Sequence, residues 1–151
     1  MPAFTPNIPP CTAATLTLTA DGGQGDFSGM SHDGTYLVLT NKGGQACTVP
    51  GLPTLVMKDA KGAALPAARK GPVGMHPGPA VVPVRIEPGA SVRTGVRWVS
   101  GEVYDNSRCV DPAQVELSFG EQVVKGAMAG HMCGEAGKPV AFEQSPLQKA
   151  P

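Results

Sequence analysis

Thr35-Tyr36-Leu37-Val38-Leu39-Thr40, followed by Asn41-Lys42-Gly43-Gly44, decides the fold class. The first six residues are β-branched, aromatic or aliphatic, and the next four carry turn chemistry, so the stretch predicts a core strand that stops abruptly. The same signature recurs on both sides. Upstream, Leu16 and Leu18 alternate with Thr15, Thr17 and Thr19 until Asp21-Gly22-Gly23. That period of two belongs to a half-buried strand. Downstream, Thr54 to Lys58 turns through Asp59-Ala60-Lys61-Gly62 into Ala63-Ala64-Leu65. Val81 to Ile86 follows, with Pro83 pointing to an edge or a bulge.

Glu87-Pro88-Gly89-Ala90 then presets a tight turn into Ser91 to Val99. In that strand Val92, Thr94, Val96 and Trp98 share one face and Ser91, Arg93, Gly95 and Arg97 the other, which puts the sole Trp in the core and the arginines in solvent. Val115, Leu117 and Phe119 alternate next, Gly120-Glu121 turns the chain into Gln122 to Met128, and Pro139 to Phe142 closes the series. No window keeps a helical period with caps. The prediction is an all-β, immunoglobulin-like, two-sheet antiparallel sandwich of about 8–9 strands. Residues 1–10 read as an extended or disordered Pro-rich lead, 11–143 as the sandwich, and 144–151 as a flexible tail; residues 66–80, with four prolines and three glycines, read as a long surface connection.

The chain has 151 residues, sufficient for one domain with a real core. Twelve Lys+Arg balance twelve Asp+Glu, so no basic field exists to hold a nucleic-acid backbone, and no apolar stretch reaches the ~20 residues of a membrane-spanning helix. Cys11, Cys47, Cys109 and Cys133 are dispersed and match no paired zinc or redox motif. An even, dispersed set predicts two disulfides. Three pairings are open; the compact one, Cys11 with Cys47 and Cys109 with Cys133, closes two loops worth roughly 3 to 4 kcal/mol each. Disulfides imply an oxidising compartment. The first ten residues lack the basic and apolar regions of a signal sequence, so Met1 reads as an added initiator ahead of a mature periplasmic or secreted chain.

The order of these features resembles a known family. A Cys precedes the first strand, "TYLVLTNKGGQACTVPGLPTLVMKD" spans the second and third, "EPGASVRTGVRW" follows a Pro-rich loop, and a late Cys pair ends the series. The most specific parts are Leu39-Thr40-Asn41 with Gly43 and Cys47, the turn Pro50-Gly51-Leu52-Pro53, and Pro88-Gly89 before the strand ending at Trp98. The chain resembles the bacterial extracytoplasmic family catalogued as domain of unknown function 4232, from about Cys11 to Phe142. The resemblance implies a secreted or lipid-anchored protein with an immunoglobulin-like sandwich and paired cysteines, and it implies no activity.

Each histidine has a methionine neighbour: Met30 and His32, Met75 and His76, His131 and Met132. Thioether and imidazole together suit copper, and all three pairs fall in expected loops. A periplasmic copper-binding or copper-delivery role through these six residues therefore competes with plain loop packing around a disulfide. Ser31-His32-Asp33 carries the residue types of a hydrolase triad, but neighbours on an extended segment point apart and no nucleophile elbow is present. Asp21 with Asp26, and Asp105 with Asp111, lack the dense oxygens of a calcium loop. Gly22-Gly23-Gln24-Gly25 has no helix behind it to cradle a phosphate. Arg93 and Arg97, with Arg85 approaching, form at most a small anion or partner patch. The reading that remains is a non-enzymatic extracytoplasmic module without a cofactor, binding a protein or cell-envelope ligand.

Overall fold

A computed structural model describes residues 8–22, 29, 31–70 and 81–150. Thirteen strands and one 3-10 turn, Ala13–Thr15, make up its regular structure. The largest sheet is built on β2 (His32–Asn41) and β7 (Ser91–Val99), which pair antiparallel from His32 with Val99 to Thr40 with Ser91. These are the two longest strands, and their pleat explains the alternating burial. Leu37, Leu39, Val92, Thr94, Val96 and Trp98 point inward, while Tyr36, Val38, Arg93 and Arg97 lie on the outer face. β1 (Leu16–Asp21) flanks β2, and β12 (Val140–Gln144) flanks β7. β5 (Ala67–Arg69) joins β12 in parallel, and β13 (Gln148–Lys149) continues the β12 edge along β7.

The second layer is a three-stranded sheet of β4 (Thr54–Lys58), β9 (Gln114–Phe119) and β10 (Gln122–Ala127), with β9 in the middle. Its inward residues Leu55, Met57, Val115, Leu117 and Val124 meet those of the large sheet in one core cluster. β10 approaches β1 closely: a Cβ on Gly126 would lie 2.6 Å from the Leu18 carbonyl oxygen. Two short ribbons close the ends, β3 (Cys47–Val49) with β6 (Val84–Ile86), and β8 (Ser107–Val110) with β11 (Met132–Glu135). The disulfides are Cys11–Cys47 and Cys109–Cys133, the compact pairing, one on each ribbon. The chain is an all-β sandwich.

Three boundaries differ from expectation. The segment from 66 to 80, expected to hold no strand, contributes β5, because Ala67, Ala68 and Arg69 hydrogen-bond the free edge of β12 despite the prolines around them. Residues 144–151 are not a free tail up to residue 150: Leu147 enters the core at 5% exposure, its N–H donates to the Gly51 carbonyl, and β13 pairs with Arg93 and Val92. At the front, Pro9 and Pro10 already flank Thr48, whose N–H donates to the Pro9 carbonyl. The strands that no run of the sequence announced, β3, β5, β8, β11 and β13, are pieces of two to four residues, too short to show a period.

The stretch that carries the family resemblance has a structural explanation centred on Asn41. Its side chain is fully buried. Its amide donates to the carbonyls of Gln45 (2.8 Å) and Ile86 (3.0 Å), and its side-chain oxygen accepts from the Gly43 N–H (2.9 Å). Its backbone carbonyl accepts from Gly89, which needs the left-handed φ of 77° found there. This one residue thus ties β2, the turn beside Cys47 and β6 together through its side chain, and the Pro88-Gly89 turn through its backbone. A Cβ on Gly51 would collide with the Val82 carbonyl, so the Pro50-Gly51 turn also requires glycine. These motif residues build the scaffold.

Candidate functional site

The β8–β11 ribbon brings together the most reactive side-chain types of the described chain. Cys109 and Cys133 face each other directly in the antiparallel register, as do Val110 and Met132. One step further, His131 meets Asp111, and its Nδ1 lies 2.6 Å from Asp111 Oδ1. A carboxylate only accepts, so Nδ1 carries the donated proton and Nε2 is the remaining ring nitrogen. Both side chains are open to water, at 54% and 74% exposure, so the pair orients the imidazole while adding little stability. The Cys109 and Cys133 sulfurs and a ring nitrogen of His131 all lie within 4.8 Å of one another. In the disulfide neither sulfur is a thiolate, and the group has no free nucleophile.

Beside this ribbon the outer face of the large sheet ends in a small cleft, bordered by Cys133 and by His32, Lys70, Arg97, Tyr104 and Glu143. Register explains the grouping. Arg97 is opposite Glu143 on β12, His32 is opposite Val99 at the start of β2, and the Lys70 N–H donates to the Phe142 carbonyl just after β5. The cleft holds about 80 Å³. A single water needs roughly 10–15 Å³ on this measure, so the space suits a few waters or one small polar group, far below a cofactor pocket. Lys70 and Arg97 outnumber Glu143, which makes its fixed charge positive. Further along the same face the Arg93 guanidinium stacks on the Tyr36 ring, 3.8 Å from its centroid.

Two buried donors near this end lack partners among the described residues, the Trp98 indole N–H and Arg108 Nε. Trp98 is 2% exposed, and Gly130 crosses the benzo edge of its ring so closely that a Cβ would lie 2.8 Å from Cζ2. Arg108 is held by its terminal nitrogen, which donates to the Lys138 carbonyl. At the other end an apolar groove of about 650 Å³ runs between Pro10, Val49, Pro83 and Phe119. Among its described lining residues, Glu121 is the one free titratable side chain, Thr12 and Thr48 add hydroxyls, and Cys11 is held in its disulfide.

The sequence-derived metal ligands are thus distributed unevenly. His32 borders the cleft and His131 sits on the disulfide, so both adjoin Cys133. Neither His32 nor Met132 lies in a loop: His32 begins β2, and Met132 begins β11. Met132 has no exposed surface and packs in the core, so its thioether is a filler and not a ligand. Met30, Met75 and His76 lie outside the described residues, as do Asp26 and the 23–25 part of the Gly-rich loop. Asp111 pairs with His131, not with Asp105. Arg85 does not join Arg93 and Arg97, because it belongs to β6 and pairs with Glu87 at 2.6 Å. Ser31, His32 and Asp33 form no triad: His32 and Asp33 occupy successive, oppositely facing register positions of β2, next to Ser31 in a turn with φ of 63°.

The partnership of His131 with Asp111 was missed at the sequence level. It leaves a signal: Asp111 is two residues after Cys109 and His131 two before Cys133. If two cysteines pair across antiparallel strands, residues at +2 and −2 must be opposite each other on the same face.

Fold and site define a disulfide-stapled β-sandwich with a small cationic cleft at one end. The chain belongs to the domain of unknown function family DUF4232, whose model matches residues 11–140. No curated protein and no solved structure matches it.

Proposed function

We propose that this domain is a non-enzymatic, extracytoplasmic binding module of the bacterial cell envelope, and that it takes a small anionic group of its ligand in the cleft between Arg97, Lys70 and His32. The observation that carries this reading is the juxtaposition of Arg97 and Lys70 at a space matched to one carboxylate or phosphate group. Two closed disulfides support the extracytoplasmic part, because such bridges persist where the surroundings oxidise. No helix of the described residues is long and apolar enough to cross a membrane. Trp98 is the only tryptophan and borders the cleft, so its fluorescence reports occupancy. Titration with soluble envelope fragments bearing carboxylates or phosphates should give a saturable change that Arg97→Ala abolishes. A response that survives Arg97→Ala, or none with either class of fragment, contradicts the reading.

Copper is a second reading, resting on His32, which lines the cleft with Cys133, and on His131 beside the Cys109–Cys133 bridge. It requires the oxidised protein to hold one copper ion in native mass spectrometry and to lose it in His32→Ala and in His131→Ala. Retention in both variants eliminates these ligands.

A further inference from the structure

We propose that reduction of the Cys109–Cys133 disulfide unmasks a binding site for a thiophilic divalent cation, zinc being the representative, with Cys109, Cys133 and His131 as ligands and Asp111 holding the imidazole. This goes beyond the binding module, which uses the oxidised protein and the neighbouring cleft.

The donor set is already assembled. The two sulfurs and a His131 nitrogen fall within 4.8 Å. Tetrahedral zinc with bonds of about 2.3 Å to sulfur and about 2.0 Å to nitrogen spaces its ligands roughly 3.5 Å apart. Rotation of the freed cysteine side chains by an ångström or so therefore closes the site without moving the strands. The His131–Asp111 pair supplies the outer support that metal-bound histidines commonly have, a carboxylate accepting one ring N–H and leaving the other ring nitrogen to bind. With Nδ1 committed to Asp111, Nε2 offers the lone pair. Because His131 is more than half exposed, the fourth position opens to solvent. Two thiolates and one imidazole select zinc-like cations over calcium or magnesium.

The chemistry balances as follows. A dithiol reductant gives two electrons and two protons to the Cys109–Cys133 bond and becomes a disulfide itself, leaving two thiols on the protein. The cation then binds both sulfurs as thiolates and releases two protons to water. Oxidation of the dithiol re-forms the bridge and expels the metal. The core cluster and the buried Cys11–Cys47 bridge lie largely outside the β8–β11 ribbon, so the sandwich has the means to survive the opening.

The test uses the full chain, reduced anaerobically and freed of reductant, then titrated with cobalt(II) and back-titrated with zinc, with circular dichroism on the same sample. The expected result is thiolate-to-cobalt charge-transfer absorption at one equivalent, bleached by zinc, in a protein that keeps its strand signal and is silent when oxidised. His131→Gln, which leaves both disulfides intact, should abolish the saturable signal, and Asp111→Asn should weaken cobalt affinity about 10- to 100-fold. No charge-transfer band, a band unchanged by His131→Gln, or a reduced chain that has lost its strand signal overturns the proposal.

Discussion

Replacing Asn41 by Ala removes a buried side chain that makes three hydrogen bonds and leaves the Gln45 and Ile86 carbonyls and the Gly43 N–H without their partner. The bond to Ile86 is fully buried, so its loss costs about 2 kcal/mol, the desolvation penalty of a stranded carbonyl. The other two are partly buried and water reaches their partners, so about 1 kcal/mol each is expected. The variant should be about 3–4 kcal/mol less stable, a large share of the ~5–15 kcal/mol available to a domain. With a urea slope of about 2 kcal/mol/M, the midpoint falls by about 2 M at unchanged slope. Asn41→Asp keeps the shape and the acceptor for Gly43 but sets a carboxylate against two carbonyls; it should lose at least as much at neutral pH. A shift below about 0.5 M for Asn41→Ala would show that the family signature is not held together by this side chain.

Leu147→Ala should destabilise by about 2–4 kcal/mol in the same assay, because Leu147 is a core residue and not part of a free tail; a change within experimental error refutes the docking of β13. Gly126→Ala drives a methyl group into the Leu18 carbonyl and should cost about 1–3 kcal/mol, with amide exchange in β1 and β10 accelerating together; a neutral result means the layers are further apart than described. Lys58→Ala breaks an ion pair with Glu116 at 2.6 Å whose partners are 25% and 17% exposed, and it should cost no more than about 1 kcal/mol, falling with salt; a larger, salt-independent loss would assign Lys58 a packing role.

The long strands were legible by their residue types and, in β7, by alternation. Val92 to Trp98 alternate with Arg93 and Arg97, so the period of two told core from surface in β7; in β2 the run Thr35 to Thr40 announced a strand by residue type, and its two faces are separated only by the burial in the fold. β5 and β13 were not legible. Ala67-Ala68-Arg69 and Gln148-Lys149 have no burial alternation, and their strand geometry comes from neighbours distant in sequence, the edges of β12 and β7. Two disulfides were legible in the even, dispersed cysteines, but their connectivity was not: spacing left three pairings open, and the fold selects the compact one. The site was legible only in part. His32 and His131 were singled out for their methionines, yet Met132 is core filling, and His131 instead faces Asp111 and the disulfide. The cleft draws Lys70, Arg97, Tyr104 and Glu143 from four separate segments, and no spacing in a single chain announces such a convergence.

The claim that this sandwich binds an anionic ligand group at its Cys133 end is tested most directly by mapping backbone amide shifts of the oxidised protein during titration with anionic envelope fragments. The account predicts saturable shifts clustered at His32, Lys70, Arg97, Tyr104 and Glu143, all lost together in Arg97→Ala. Shifts centred on the apolar groove between Pro10, Val49 and Phe119, or spread evenly over the surface, would contradict it.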